Sequence, residues 1–405
     1  MLMTGTTLAQ AIPIAVSPIL TRIYKPEDFG VFALFSSMSL IFGTIANARY
    51  ELAIMLPEND EDAFNIAAIG VLISFVLSVL LLLVVFLFNR DIAEILGNEE
   101  IGFWLYFLPL SVFFMGLFNV LNYLNSRFGK YKNIARARVH KSLVLSVVQF
   151  SIGFFKGGAL GLVVGQVLSS AFANLKLLKG AVCEMDNRPV ISQKKMKFLA
   201  KRYVDFPKFT MWASLANTLS QHFNSILIPA YFSISSLGYY SLVHRVLALP
   251  SSLVGGAVGQ VYYQRITNKR HKPKDAIEVF DSTVKKLFSI AVPTFGLLFF
   301  IVEDLFAFVF GEEWRMAGTY AMVLIPLFAV RFVFSPVSVT CSAFEKQRIS
   351  LYLQFILFFI SLSSIVVSGY LEFSFFDFLL SFSFAVCSYY LFFLYIVRLI
   401  AKGRF

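Results

Sequence analysis

Cysteine, histidine and acid away from the ends of apolar segments are scarce in this sequence, and each scarcity closes a class of function. The three cysteines, Cys183, Cys341 and Cys387, are odd in number and far apart. They give neither a disulfide framework nor a metal-ligand spacing. His140, His222, His244 and His271 form no cluster either, so no metal and no cofactor are expected. Glu51, Glu58, Asp60, Glu61 and Asp62 crowd one connection, and Glu99–Glu100, Glu303–Asp304 and Glu312–Glu313 sit at ends of apolar runs. Paired carboxylates can do acid–base work, but at such ends they read as solvated caps. The longest connection, roughly Lys179–Lys208, is short of the ~50 residues of an independent domain. No signal peptide and no basic residue precede the first apolar run, so an incomplete or misassigned start is expected.

What the chain has instead is apolar length. Hydrophobic residues make up 58% of it and the mean hydropathy is +0.74, which places it among polytopic membrane proteins. Twelve runs follow one another: roughly 1–20, 29–48, 63–88, 103–124, 143–155, 159–178, 209–232, 237–262, 287–310, 320–343, 349–370 and 375–396. Most can cross ~30 Å of hydrocarbon, which takes about 20 helical residues. Lipid offers the backbone no hydrogen bonds, so helices or a closed barrel are the only choices, and runs this long mean helices. The fifth run is short, but without it the order of the loops fails.

The basic residues fall on alternate loops. Arg127 to Lys141 follow the fourth run, Lys176 to Lys208 flank the sixth, Arg265 to Lys286 follow the eighth, Lys346 and Arg348 follow the tenth, and Arg398, Lys402 and Arg404 end the chain. Positive charge stays inside, so the even loops and both termini are expected to be cytoplasmic. The net charge of +11 is used in this topology, and no nucleic acid partner is expected. The segments opening Phe29-Gly30-Val31 and Leu237-Gly238-Tyr239 hold equivalent places in two six-span halves. The expected fold is all-α, with about 12 transmembrane helices in two six-helix lobes. A pseudo-two-fold axis along the membrane normal would relate them, as in parallel-repeat transporters. The boundaries are a lobe over 1–178, a cytoplasmic linker over 179–208 and a second lobe over 209–405.

Polar residues at helical steps mark candidate cavity faces. The first span carries Thr6, Gln10, Pro13, Ser17 and Thr21. The second carries Ser36, Leu40, Gly43 and Asn47, the seventh Ser214, Asn217, Gln221 and Asn224, and the eighth Ser241, Arg245, Ala248, Ser252, Gly255 and Gly259. Helix–helix packing uses the same residue types and is the alternative for any one stripe. The third span ends in an unbroken apolar surface and is expected to face lipid. Arg245 and Arg331 lie deep in their spans, where charge costs at least ~2.5–3.5 kcal/mol and usually serves a function. Arg22 and Arg49 end spans one and two. Arginine forks suit phosphate. Snorkelling to the interface is the alternative for Arg22 and Arg49, and bonding to helix carbonyls for Arg331.

Several segments carry a family resemblance: Ser17-Pro18-Ile19-Leu20-Thr21-Arg22-Ile23-Tyr24-Lys25-Pro26-Glu27-Asp28-Phe29-Gly30, Arg49-Tyr50-Glu51-Leu52-Ala53-Ile54-Met55-Leu56-Pro57, Leu247-Ala248-Leu249-Pro250, Gly259-Gln260-Val261-Tyr262-Tyr263-Gln264 and Phe310-Gly311-Glu312-Glu313-Trp314. In these the chain resembles the bacterial polysaccharide-biosynthesis flippases of the O-antigen type, within the multidrug/oligosaccharidyl-lipid/polysaccharide exporter superfamily. The resemblance implies a non-enzymatic inner-membrane flippase for undecaprenyl-diphosphate-linked oligosaccharide. Its expected partners are that lipid and the glycan polymerase and glycosyltransferases of the pathway. The expected substrate-binding residues are Arg22, Arg49, Arg245, Arg331, Gln10, Asn47, Asn217, Gln221 and Asn224. A cation-coupled multidrug exporter of the same superfamily is the rival, but neither span one nor span seven has the carboxylate it would want. A membrane glycosyltransferase or polymerase would present a sizeable loop or an acidic motif, and neither stands out.

Overall fold

The computed structural model describes residues 2–155, 157–182, 191–270 and 272–404. Among these the chain is helical and carries no strand. The helices are α1 (Leu2–Leu20), α2 (Pro26–Ile45), α3 (Tyr50–Ala53), α4 (Asp60–Ile95), α5 (Ile101–Leu105), α6 (Leu108–Arg127), α7 (Tyr131–Phe155) and α8 (Leu160–Val182). Then come α9 (Gln193–Arg202), α10 (Met211–Tyr231), α11 (Ile234–Lys269), α12 (Pro273–Phe310), α13 (Arg315–Val337), α14 (Thr340–Ala343), α15 (Gln347–Tyr370) and α16 (Phe375–Ala401). Eight of them are long and apolar enough to cross a membrane.

Local chemistry sets the ends. Pro26 opens α2 with its fixed φ and missing N–H, and the Asp28 carboxylate accepts from the Lys25 N–H at 2.9 Å. Gly311 closes α12 at φ +106°, a backbone angle that a side chain would strain. The fifth apolar run belongs to a longer helix than its apolar part suggested. Helix α7 starts at Tyr131 and takes in Arg136, Arg138 and Lys141, which the sequence reading placed in the loop.

Residues Met1–Gly238 form one compact unit and Tyr239–Phe405 a second. The break therefore lies about thirty residues after the expected end of the linker. Helix α10 groups with the first unit because it packs on α2, where Thr44 and Thr218 share a hydroxyl bond of 3.1 Å. In this unit α1 packs on α7, α7 on α8, and α6 against α4 and α8. The first turns of α2 and α11 meet reciprocally. A Cβ on Gly30 would collide with the Ile234 carbonyl, and a Cβ on Gly238 with the Pro26 carbonyl.

The described C-terminal part of the linker is docked. After residues 183–190, which lie outside the described residues, α9 docks on α4. Leu199 is buried in a cluster with Ile54, Ala63, Ile66 and Leu124. The Tyr50 hydroxyl donates to the Ala200 carbonyl at 2.9 Å, and Lys195 pairs with Glu61 at 2.7 Å. That carboxylate raises the Lys195 pKa.

Helix α4 presents Leu80, Leu82, Leu83, Val84 and Phe86 outward, as an apolar surface facing lipid does. Leu81 and Val85 are exceptions to the expected lipid face. They continue the buried row of Ser74 and Ser78 at helical steps and lie inside the unit.

The second unit packs α12 against α13, α13 against α16, and α15 against α16. Hydroxyls tie it across helices: Ser383 to the Val323 carbonyl at 2.9 Å and Tyr389 to the Leu353 carbonyl at 2.8 Å. Such bonds suit spans that cannot rely on the hydrophobic effect for association.

Candidate functional site

Arg22 projects from the turn after α1 and is exposed. Tyr24 fixes that turn. Its hydroxyl donates to the Gln149 carbonyl on α7 at 2.6 Å, and its ring fills the space that Gly153 and Gly161 leave open. Burial first, and then the neighbouring Asp28 carboxylate, push the Tyr24 pKa up to about 12. Gln10 is exposed on α1. The rest of its stripe is partly packing: Ser17 and Thr21 are buried and return their hydroxyls to the carbonyls of Ile14 and Pro18.

Arg49 follows a break in the backbone. Ala48 and Arg49 both take positive φ, +47° and +64°, a conformation that costs a non-glycine residue about 1–3 kcal/mol and concentrates at ligand clamps. The break turns the Arg49 guanidinium toward Glu51, with Nη1 3.2 Å from Oε1. Glu51 is 2% exposed, and Arg49 is 26% exposed. Among the described residues Glu51 Oε2 and Arg49 Nε have no partner. Burial raises the Glu51 pKa, with Arg49 opposing it. This corrects the reading of Glu51 as a solvated loop acid. The docking of α3 between α4, α6 and the turn at Phe206–Thr210 closes water off.

Asn47 is placed differently from the expectation. It is 1% exposed, and its Nδ2 donates to the Gly70 carbonyl at 3.1 Å, Ser74 Oγ at 2.7 Å and the Gly116 carbonyl at 3.1 Å. The side chain ties α2 to α4 and α6 and is committed to packing. A Cβ on Gly116 would collide with Ser74, so that glycine lets α6 lie close to α4 at this point. On α10, Asn217 and Gln221 are exposed and Asn224 is half-buried, with Oδ1 lacking a partner among the described residues. The Thr44–Thr218 bond sets this polar face beside the end of α2 that leads to Arg49.

In the second unit Arg245 lies eleven residues into α11, about 16 Å along it at 1.5 Å per residue. It is half-buried, and among the described residues no hydrogen bond or ion pair reaches it. Arg331 sits over the Phe328 ring, 5.9 Å from the centroid. Gly255 and Gly259, further along α11, line an open cleft of about 380 Å³ with Gln260, Tyr263, Val339 and Ser342. Ser252 lies in a stretch whose side chains are outside the described ones.

Long apolar helices with cations set among them define a multi-pass helical membrane protein. The lipid II flippase MurJ, in an inward closed conformation, matches with a TM-score of 0.70 and 15% identity over 99% of this chain and 90% of that one. An inward-facing multidrug resistance MATE family transporter of the MOP superfamily matches at 0.64 and 13%, over 99% and 94%. These likenesses show the fold. The chain belongs to the polysaccharide biosynthesis protein family, whose model matches residues 19–319. The succinoglycan biosynthesis transport protein ExoT of Rhizobium meliloti (strain 1021) is 22% identical over 303 residues, 74% of this chain and 59% of that protein. The chain thus spans less than two thirds of that relative's length. An uncharacterized membrane protein in the cps region of Klebsiella pneumoniae is 21% identical over 350 residues, 84% of this chain and 69% of that protein.

Proposed function

We propose that this protein is a flippase that moves undecaprenyl-diphosphate-linked oligosaccharide repeat units from the cytoplasmic to the outer leaflet of the bacterial inner membrane. It works by alternating access and serves surface polysaccharide assembly, whether O-antigen, capsule or exopolysaccharide. The carrying observation is Arg245, a guanidinium deep in α11 with no protein partner among the described residues. A charge so placed is retained for a function, and a diphosphate matches its bidentate fork. Arg22 and Arg49 on the first unit and Arg245 on the second engage the diphosphate at successive stages. Gln10, Asn217, Gln221 and Asn224 meet the glycan, and Arg331 is a further anion contact. The alternating basic loops support twelve spans in two related lobes with both termini cytoplasmic. Glycosyltransferases and the glycan polymerase of the same pathway act before and after the protein.

The MATE likeness raises cation-coupled drug export as a second reading. Against it, Glu51 is the one buried carboxylate among the described residues, it lies outside the long helices, and Arg49 occupies it. A cationic drug would find no free buried acid there. Energy for outward flipping is available without an ion site. A group of charge −2 leaving an inside-negative membrane gains at most about 4.6 kcal/mol per 100 mV. Deleting the gene tests the reading: a lipid-linked oligosaccharide should accumulate on the cytoplasmic face. Normal surface glycan with no accumulated intermediate would refute it.

A further inference from the structure

Lys141 lies ten residues into α7 from Tyr131, about 15 Å along the helix. Its ammonium stands over the Phe118 ring of α6, 5.2 Å from the centroid. Phe118 lies nine residues before Arg127, the end of α6, or about 13 Å from that end. Only residues 128–130 join α6 to α7, so both distances start from the same face of the bundle, and they agree. The ammonium is near the middle of α7, farther from the end of that helix than its stem reaches.

The neighbouring polar groups have partners. Lys130 donates to the Gly180 carbonyl at 2.7 Å, Arg138 to Thr6 Oγ1 at 2.8 Å and Ser142 to the Ala9 carbonyl at 2.6 Å. Lys141 makes no hydrogen bond or ion pair among the described residues, and its ammonium faces the Phe118 ring instead. One turn beyond Phe118, on the same face of α6, Asn122 holds a buried Oδ1 that also lacks a partner among the described residues. An ammonium, an aromatic face and an unused amide acceptor complement, in turn, an oxyanion, the C–H face of a sugar and a hydroxyl.

The geometry points to an oxyanion-binding position in the first unit, formed by Lys141 with Phe118 and Asn122, that takes a charged group of the transported lipid. It rests on the flippase reading and adds to it a contact built from α6 and α7. Two sources supply the same chemistry: the diphosphate, or a carboxylate on the glycan.

The test measures binding to the purified full-length protein in detergent. One probe is undecaprenyl diphosphate without sugar; the other is the lipid-linked oligosaccharide extracted from the host, before and after amidation of its carboxylates. Lys141→Met should weaken binding about tenfold while membrane abundance and thermal stability do not fall, because an unpaired charge has been removed. Lys141→Arg should keep most of the affinity. Asn122→Asp, which supplies an internal anion at nearly constant shape, should weaken binding similarly. It serves as the second variant if Lys141→Met is poorly produced. A loss already seen with the sugar-free lipid assigns the position to the diphosphate. A loss confined to the glycan-bearing lipid, and abolished by amidation, assigns it to a carboxylate. Wild-type affinity for both probes in both variants overturns the position and leaves the flippase reading standing. A wild-type protein that binds neither probe overturns both.

Discussion

Replacing Asn47 by alanine separates packing from substrate contact. The Asn47 amide nitrogen gives two hydrogens to three acceptors, Gly70 O, Ser74 Oγ and Gly116 O. Interhelical hydrogen bonds in membrane proteins contribute about 0.6 kcal/mol on average and up to about 1.7. Two such bonds give about 1.2 to 3.4 kcal/mol. The lower part of that range applies, because the acceptors keep other partners: Ser74 Oγ still donates to the carbonyls of Ala46 and Gly70. Asn47→Ala should therefore cost about 2 kcal/mol, with part of the loss from the space left between α2, α4 and α6. Equilibrium unfolding of the purified protein in mixed detergent micelles reads this directly. Whatever protein stays folded should bind lipid-linked glycan with wild-type affinity. Unchanged stability together with lost binding would refute the packing argument and return Asn47 to the substrate site.

Glu51 gives a pH dependence. Its pKa is raised by burial, so the folded protein binds this proton more tightly than the unfolded chain. The associated stability is present below the ordinary carboxylate pKa and is lost as pH rises through the folded value. Glu51→Gln should flatten the fall in thermal stability above that range; an unchanged slope would mean that Glu51 is not its source. Single cysteines at Asn217 and Gln221 should react with a water-soluble thiol reagent, and cysteines at Leu81 and Val85, which are buried, should not. Equal labelling of the two pairs would remove the polar face of α10 from the substrate path.

The long helices were legible because a bilayer demands length and apolarity, and the runs supplied both. The fifth helix was read short for the same reason: Arg138 and Lys141 look like loop residues until α1 and α6 give them partners inside the unit, while Arg136 stays exposed. Arg245 stood out from flanking apolar residues and needed no tertiary knowledge. Glu51 did not, since four more acids follow within eleven residues and its burial comes from elements distant in sequence. The stripe containing Asn47 has the right spacing. Whether such an amide meets water or a neighbouring backbone depends on Gly70 and Gly116, which no local pattern pairs with it. Leu81 and Val85 show the same limit, because on an all-apolar helix the buried row is chosen by the neighbours.

The most direct measurement is transbilayer movement of labelled lipid-linked oligosaccharide in proteoliposomes holding the purified protein. Wild type should move the lipid. Arg245→Ala, present at normal abundance, should not, and Arg245→Lys should move it in part, keeping the charge but losing the fork. Movement at the wild-type rate by Arg245→Ala, or none by the wild type, would contradict the account.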